Sequence, residues 1–398
     1  TLRGLIETAL ANNRDLRETV ANVAAARAQY RGQRSSQAPT LNLTADGSKT
    51  GASDAAGGDS ASYSAGLGIS SFELDLFGRL RSLSRQALET YLSTEAGMRS
   101  AKLSLVAETA NAYVTLAADQ GLLDAARETL ASGEKTLSLT RALQAAGLAG
   151  QGDVQDALTI VAQARADIES YVTAVAQARN ALDLLVGAPT GDGASTLVDL
   201  DAALGKPPAG LSSSVLKKRP DVLEAEHTLR AKEQAIGAAR AAYFPTISLT
   251  ASTGVASTAL KELFGSGSGQ WNLAPSVSLP LLGGSRRADL DAAKADRDAA
   301  LASYEGAVQT AFKEVADGLA RRGSIDRQRL AQADLVSAAD KSRVLARAKY
   351  EAGADTFLNA LTAQRTYYAA RQAEISVVQE DLANRITLYQ VLGADGSL

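Results

Sequence analysis

The amino-acid sequence predicts a mostly α-helical fold with a small β part, duplicated along the chain, in which long coiled-coil helical hairpins are joined to two β-hairpins. Three observations predict it. Turn residues recur at one fixed spacing: Gly78 and Gly284, Gly147 and Gly353, and Pro39 and Pro245 each stand 206 residues apart. The same spacing relates Gly4 to Gly210, Asp15 to Asp221, Glu18 to Glu224, Glu108 to Glu314, Leu182 to Leu388 and Gly187 to Gly393. Between the glycines lie long stretches without proline in which apolar residues recur at spacings of three and four, as in Leu103, Val106, Ala110, Tyr113 and Ala117, the signature of a coiled-coil helix. Finally, each Pro-Thr dipeptide is followed by strict apolar-polar alternation, the period of a half-exposed strand.

Composition agrees. Aromatic residues make up 5% of the 398, Trp and Met occur once each, and alanine fills much of the apolar share. Such a chain favours long, closely approaching helices over a bulky globular core. Lys and Arg number 41 against 44 Asp and Glu, for a net charge of −3 and no basic stripe, so the footprint of a nucleic-acid partner is missing. With no cysteine there is no disulfide framework, thiolate metal site or cysteine nucleophile. No window approaches the ~18 apolar residues of a membrane-spanning helix, but a spanning strand needs only about 9–11 alternating residues.

The elements follow in order. In repeat 1 (1–190) the helix "DLRETVANVAAARAQYRGQRS" runs into Pro39, which removes a backbone donor and biases the preceding residue out of the helix. A β-hairpin at about 40–77 begins with "TLNLTAD", placing Leu41 and Leu43 on one face, and its loop is "SKTGASDAAGGDS". A long helix over 79–146 and a return helix over 153–186 make the helical hairpin. Roughly 69 residues extend about 100 Å at ~1.5 Å each, whereas a return helix of about half that length leaves a stretch that must pair with the helix preceding the β-hairpin. The segment 191–209, rich in Pro and Gly, reads as a linker or equatorial segment. Repeat 2 (210–398) repeats the plan: a helix, a β-hairpin at about 246–282, a long helix over 285–352 and a return helix over 355–392. Its strands carry Ile247 and Leu249, then Trp271, Leu273, Val277 and Leu279, on one face, with "GSGSG" (265–269) as the hairpin tip. Four strands cannot close a barrel and leave edges exposed; three copies supply twelve, and would gather the helices into a tube continuing from that barrel.

"SFELDLFGRLR", "SLVAETANAYV" and "KKRPDVLEAEHTLRAKEQAIGAARAAYFPTISLTAS", together with the two "AG" turns, resemble the outer-membrane efflux protein family, and most closely its lipoprotein branch. The likeness covers nearly the whole chain, and Arg219-Pro220-Asp221 and Phe244-Pro245-Thr246 are its more specific motifs. The resemblance implies a homotrimer in the outer membrane of a Gram-negative bacterium, with a twelve-stranded β-barrel in the lipid and a helical barrel in the periplasm. It implies two protein partners, a periplasmic adaptor and an inner-membrane transporter, and a role as exit duct of a tripartite pump. In that branch an acylated N-terminal cysteine anchors the protein; the sequence begins at Thr1, so a lipid anchor is an expectation about a segment upstream.

The resemblance also assigns residues. Gly147-Leu148 and Gly353-Ala354 become the periplasmic tips that dock the adaptor, glycine suiting a helix end because it adopts a left-handed conformation without steric cost. Tyr350 and Lys349, just before the second turn, correspond to the residues that hold the closed tip by bonding an acid just after the first, here Asp153. The competing reading makes Tyr350 a packing residue and Asp153 a helix cap. Leu358 matches an aliphatic ring. One helical turn on, where many members have an acid, stands Thr362, a departure; its counterpart Asp156 would supply that carboxylate, or else lies on a solvated helix face, the plainer reading. His227, the one histidine, is expected to face solvent. No nucleophile elbow, zinc motif or phosphate loop is present, so neither an enzyme nor a cofactor is expected. The alternative function is a non-channel periplasmic coiled-coil adaptor or structural protein, against which the two β-hairpins with Trp271 argue.

Overall fold

A computed structural model describes residues 1–51, 60–191, 195–205, 213–279, 281 and 284–393. Most of the first hairpin loop, parts of the expected linker, the end of the second hairpin and Gly210 lie outside these residues. The chain forms α1 (Leu2–Asn12), α2 (Arg14–Ser35), β1 (Leu41–Thr50), β2 (Ser60–Glu73), α3 (Arg79–Ala145), α4 (Gln151–Val186), α5 (Leu197–Ala203), α6 (Pro220–Ala241), β3 (Thr246–Ser257), β4 (Gly269–Ser278), α7 (Arg286–Glu351) and α8 (Phe357–Val391). These residues divide into two units that cut across the duplication: Ala21–Gly97 with Leu223–Ala307, and Thr1–Val20 with Met98–Val222 and Val308–Leu398.

The first of these units contains the sheet. Its order is β1-β2-β3-β4, antiparallel throughout. The two predicted hairpins are therefore one sheet, joined where β2 pairs with β3. At the joint Gly66 lies opposite Gly254, and a Cβ on Gly254 would stand 2.4 Å from the Ala65 carbonyl oxygen. Only glycine permits that approach. Nearer the helices the pairing shifts between Ile69 and Phe72. There Ser71 takes a φ of 51° and its N–H donates to Thr250 Oγ1 at 3.1 Å, a β-bulge in which one extra residue re-aims the strand.

The "SFELDLFGRLR" motif converts β2 into α3. Gly78 turns with φ 80°, and Asp75 accepts from the Leu80 and Arg81 amides at 3.2 and 2.9 Å, serving donors that a helix start leaves without a partner. Arg79 forks onto Glu73 at 2.8 and 2.5 Å, and Phe77 stacks on Phe244 with ring centroids 4.8 Å apart. The helices before both hairpins touch α3. Tyr30 of α2 stacks on Tyr91, while α6 places His227 Nδ1 2.7 Å from Glu89 Oε2 and its Glu224 carbonyl accepts from Ser93. The histidine is thus mostly covered and paired, correcting the expectation that it faces solvent; Glu89, 138 positions away, is what covers it.

In the second unit the buried cluster runs through Leu16, Leu105, Val114, Leu116, Leu182, Val186 and Leu382. Both repeats tie the end of the return helix to the start of the preceding helix with one bond at the same sequence distance. Asn13 Nδ2 donates to Leu185 O, and Arg219 Nη1 to Val391 O, each at 3.0 Å. The segment expected to link the repeats holds the capped helix α5, in which Thr196 and Asp199 cap reciprocally and Leu200 is buried.

Candidate functional site

Cross-strand partners share a face of a sheet, so the register sorts every strand residue. Leu41, Leu43, Leu67, Ile69, Phe72, Ile247, Leu249, Leu273 and Val277 fall on one face with Tyr63 and Trp271. The other face carries Asn42, Thr44, Asp46, Ser62, Ser64, Thr246, Ser248, Thr250, Asn272 and Ser276. In the single chain every residue of β1 and of β4 is exposed, including Leu43 at 77% and Trp271 at 79%. An apolar face of this size marks a membrane or protein interface, and the free edges of β1 and β4 are templates for further pairing.

The two helical turns are built alike. Gly147 and Gly353 have φ of 72° and 66°. Leu148 N–H donates to Leu143 O at 2.8 Å, and Ala354 N–H to Lys349 O at 2.9 Å, the bond of a Schellman helix end. Gly147, Leu148, Gly353 and Ala354 are all exposed, and a Cβ on either glycine would touch nothing within 4 Å.

The structure does not join Tyr350 to Asp153. Tyr350 is buried in an apolar cluster with Leu137, Val154, Ile160, Phe357 and Leu361, meets Phe357 edge-on at 5.3 Å, and shares a 3.1 Å hydrogen bond with buried Thr140. Asp153 instead accepts from the Gly150 N–H at 2.9 Å, capping α4. In the single chain the phenol faces the interior and the carboxylate caps its own helix end. Lys349 is exposed, as are Leu358 and Thr362, whose hydroxyl donates to the Leu358 carbonyl at 2.8 Å. Asp156 is half-exposed.

Sequence reasoning missed an ionic centre. Asp381, fully buried, accepts from Arg322, and from Arg329 and Arg385 at 2.5 Å each. Arg329 and Arg385 also hold Asp201 of α5 at 2.7 and 2.8 Å, and Arg385 reaches the Leu204 carbonyl at the end of that helix. Burial alone would raise the Asp381 pKa, but bonds from Arg385, Arg322 and Arg329 outweigh it and hold the carboxyl below its ordinary value. Arg329 is the main cause of the same lowering at Asp201.

The model of the outer membrane efflux protein family matches this chain twice, over residues 5–188 and 211–394, two matches offset by the same 206 residues. The chain belongs to the outer membrane efflux protein family. That membership places it in the outer membrane as an efflux protein and sets aside the non-channel adaptor alternative. Similar proteins include the probable efflux pump outer membrane protein TtgC of Pseudomonas putida, 45% identical over 98% of this chain and 82% of its own length. Outer membrane protein OprJ of Pseudomonas aeruginosa is 41% identical over 98% of this chain and 84% of its own. The solved open state of the MtrE outer membrane channel of Neisseria gonorrhoeae superposes with a TM-score of 0.91 at 38% identity, covering 99% of this chain and 89% of that one.

Proposed function

We propose that three copies of this chain close a barrel of twelve strands by pairing β4 of one copy with β1 of the next, forming the exit duct of a tripartite efflux pump. The observation that carries the proposal is the sheet: two unpaired edges, one apolar face and one polar face. Closure satisfies the edges, lipid covers the apolar face, and the polar face lines a water-filled lumen. The long helices continue the conduit into the periplasm.

The turns at Gly147-Leu148 and Gly353-Ala354 dock the helical tips of a periplasmic adaptor, which connects the duct to an inner-membrane transporter. Leu358, Thr362 and Asp156 narrow the entrance. Opening is a shift between two packings of the helical hairpins, biased by the adaptor's preference for one of them. No bond is made or broken in the cargo; the duct conducts and performs no catalysis. Among the relatives are proteins named for efflux of antibiotics, toluene and solvents, so small amphiphilic and apolar molecules are the cargo class proposed here.

Purified protein should require detergent for extraction, run as a trimer that heating dissociates, and form channels in planar bilayers. A water-soluble monomer that forms no channel would overturn the reading.

A further inference from the structure

The polar face of the sheet is nearly free of charge. Its described residues are serine, threonine, asparagine, glutamine, glycine and alanine, with two exceptions, Asp46 and Glu73. Glu73 is neutralised by the forked bond from Arg79. Asp46 lies opposite Ser64, and Ser64 opposite Ala256, so its neighbours across the sheet carry no cation. The carboxylate is exposed on β1, and no hydrogen bond or ion pair engages it among the described residues.

We infer that Asp46 sets the charge preference of the barrel lumen, drawing cationic cargo through the outer-membrane segment and resisting anionic cargo. The inference rests on the trimeric duct proposed above. Threefold closure puts three copies of Asp46 at one height inside a narrow, low-dielectric wall, where charges of one sign focus the field and raise the local concentration of counter-ions. The hydroxyl and amide groups around them solvate cations and anions alike, so the carboxylates supply the difference.

The test is the reversal potential of reconstituted trimers under a potassium chloride gradient. The parent channel should prefer potassium over chloride. Asp46→Asn should lower the cation-to-anion permeability ratio severalfold, and Asp46→Lys should lower it further. Ser64→Asp, which adds a carboxylate opposite Asp46, should raise it above the parent. Asp46 is exposed and Ser64 half-buried in the chain, so the strands should still pair, and trimer yield on unheated gels checks that they do. An unchanged ratio in conducting Asp46→Asn and Asp46→Lys channels would overturn the assignment while leaving the duct intact. Trimers of the parent that conduct nothing would overturn the duct, and this inference with it.

Discussion

At corresponding positions 206 residues apart, the two repeats are built on different chemistry. Repeat 1 has Leu116, Leu123 and Val175 where repeat 2 has Arg322, Arg329 and Asp381. The leucines are buried and Val175 packs against the apolar cluster; their counterparts form an ionic centre around a fully buried carboxylate. The backbone plan is shared down to the helix-end glycines, so the difference comes from what each repeat must hold. Repeat 2 receives α5, whose Asp201 side chain and final carbonyls demand donors. An apolar surface would leave those groups desolvated and unpaired, which is unfavourable.

The sharpest way to break this comparison is Asp381→Ala. Removing one partner of a buried ionic group leaves the others uncompensated, a loss of about 3–5 kcal/mol, which should appear as a lower melting temperature of the trimer. Copying repeat 1 into repeat 2, with Asp381→Val, Arg322→Leu and Arg329→Leu together, should be milder than the single change, because Arg322 and Arg329 leave with the acid and Arg385, which loses Asp381, still keeps Asp201. If the triple variant melts below Asp381→Ala, the ionic centre does more than fix α5.

Acid should act on the same region. The carboxyls of Asp381 and Asp201 are held below their ordinary value in the folded protein. Their stabilisation is therefore complete above the unfolded pKa of about 3.9 and is lost as pH falls through the lower folded values. Melting followed downward from pH 6 should decline for the parent below about pH 4 and decline less for Asp381→Ala. Parallel curves would sink the assignment.

A subtler contrast lies in the bond the repeats do share. Arg219 is buried and also binds Asp221 and Glu314 at 2.6 and 2.7 Å, whereas Asn13 makes a neutral bond to Leu185 O. Arg219→Ala should lose about 1.5–3 kcal/mol and Asn13→Ala about 0.5–1.5 kcal/mol, following the difference between charged and neutral hydrogen bonds. Equal losses would show that the carbonyl tie, and not the ion pairs, is what matters.

Much of this architecture could be read from the sequence because its signals are local. Gly147 and Gly353 announce helix ends, alternation from Leu41 and Ile247 announces strands, and the constant offset ties them together. The Asn13–Leu185 and Arg219–Val391 ties were also within reach, since both pairs obey that offset. The ionic centre was not. Arg329 and Asp381 are 52 positions apart, and Arg385 and Asp201 are 184 apart; charged residues on a helix look alike in sequence whether water or a third helix faces them. Asp153 and Tyr350 are a related case. In the single chain each bonds another group, Asp153 the Gly150 amide three positions away and Tyr350 the Thr140 hydroxyl 210 positions away.

The smallest expected change in stability separates the two tips. Both glycines have positive φ and open space around a would-be Cβ, so Gly147→Ala and Gly353→Ala should each strain only the turn, by roughly 1–2 kcal/mol. A turn at the end of long helices is already the place where fraying begins, so trimer melting should scarcely move. Function is expected to respond differently. If both turns seat the adaptor, drug export should fall as the side chain grows from Gly through Ala to Leu, and fall at either position, with trimer yield unchanged. If it falls only for Gly353, the turns are equivalent in backbone but not in docking, and the exposed Leu148 against Ala354 is the difference to exchange next. Export that is indifferent to side-chain size at both positions would mean that the adaptor seats elsewhere.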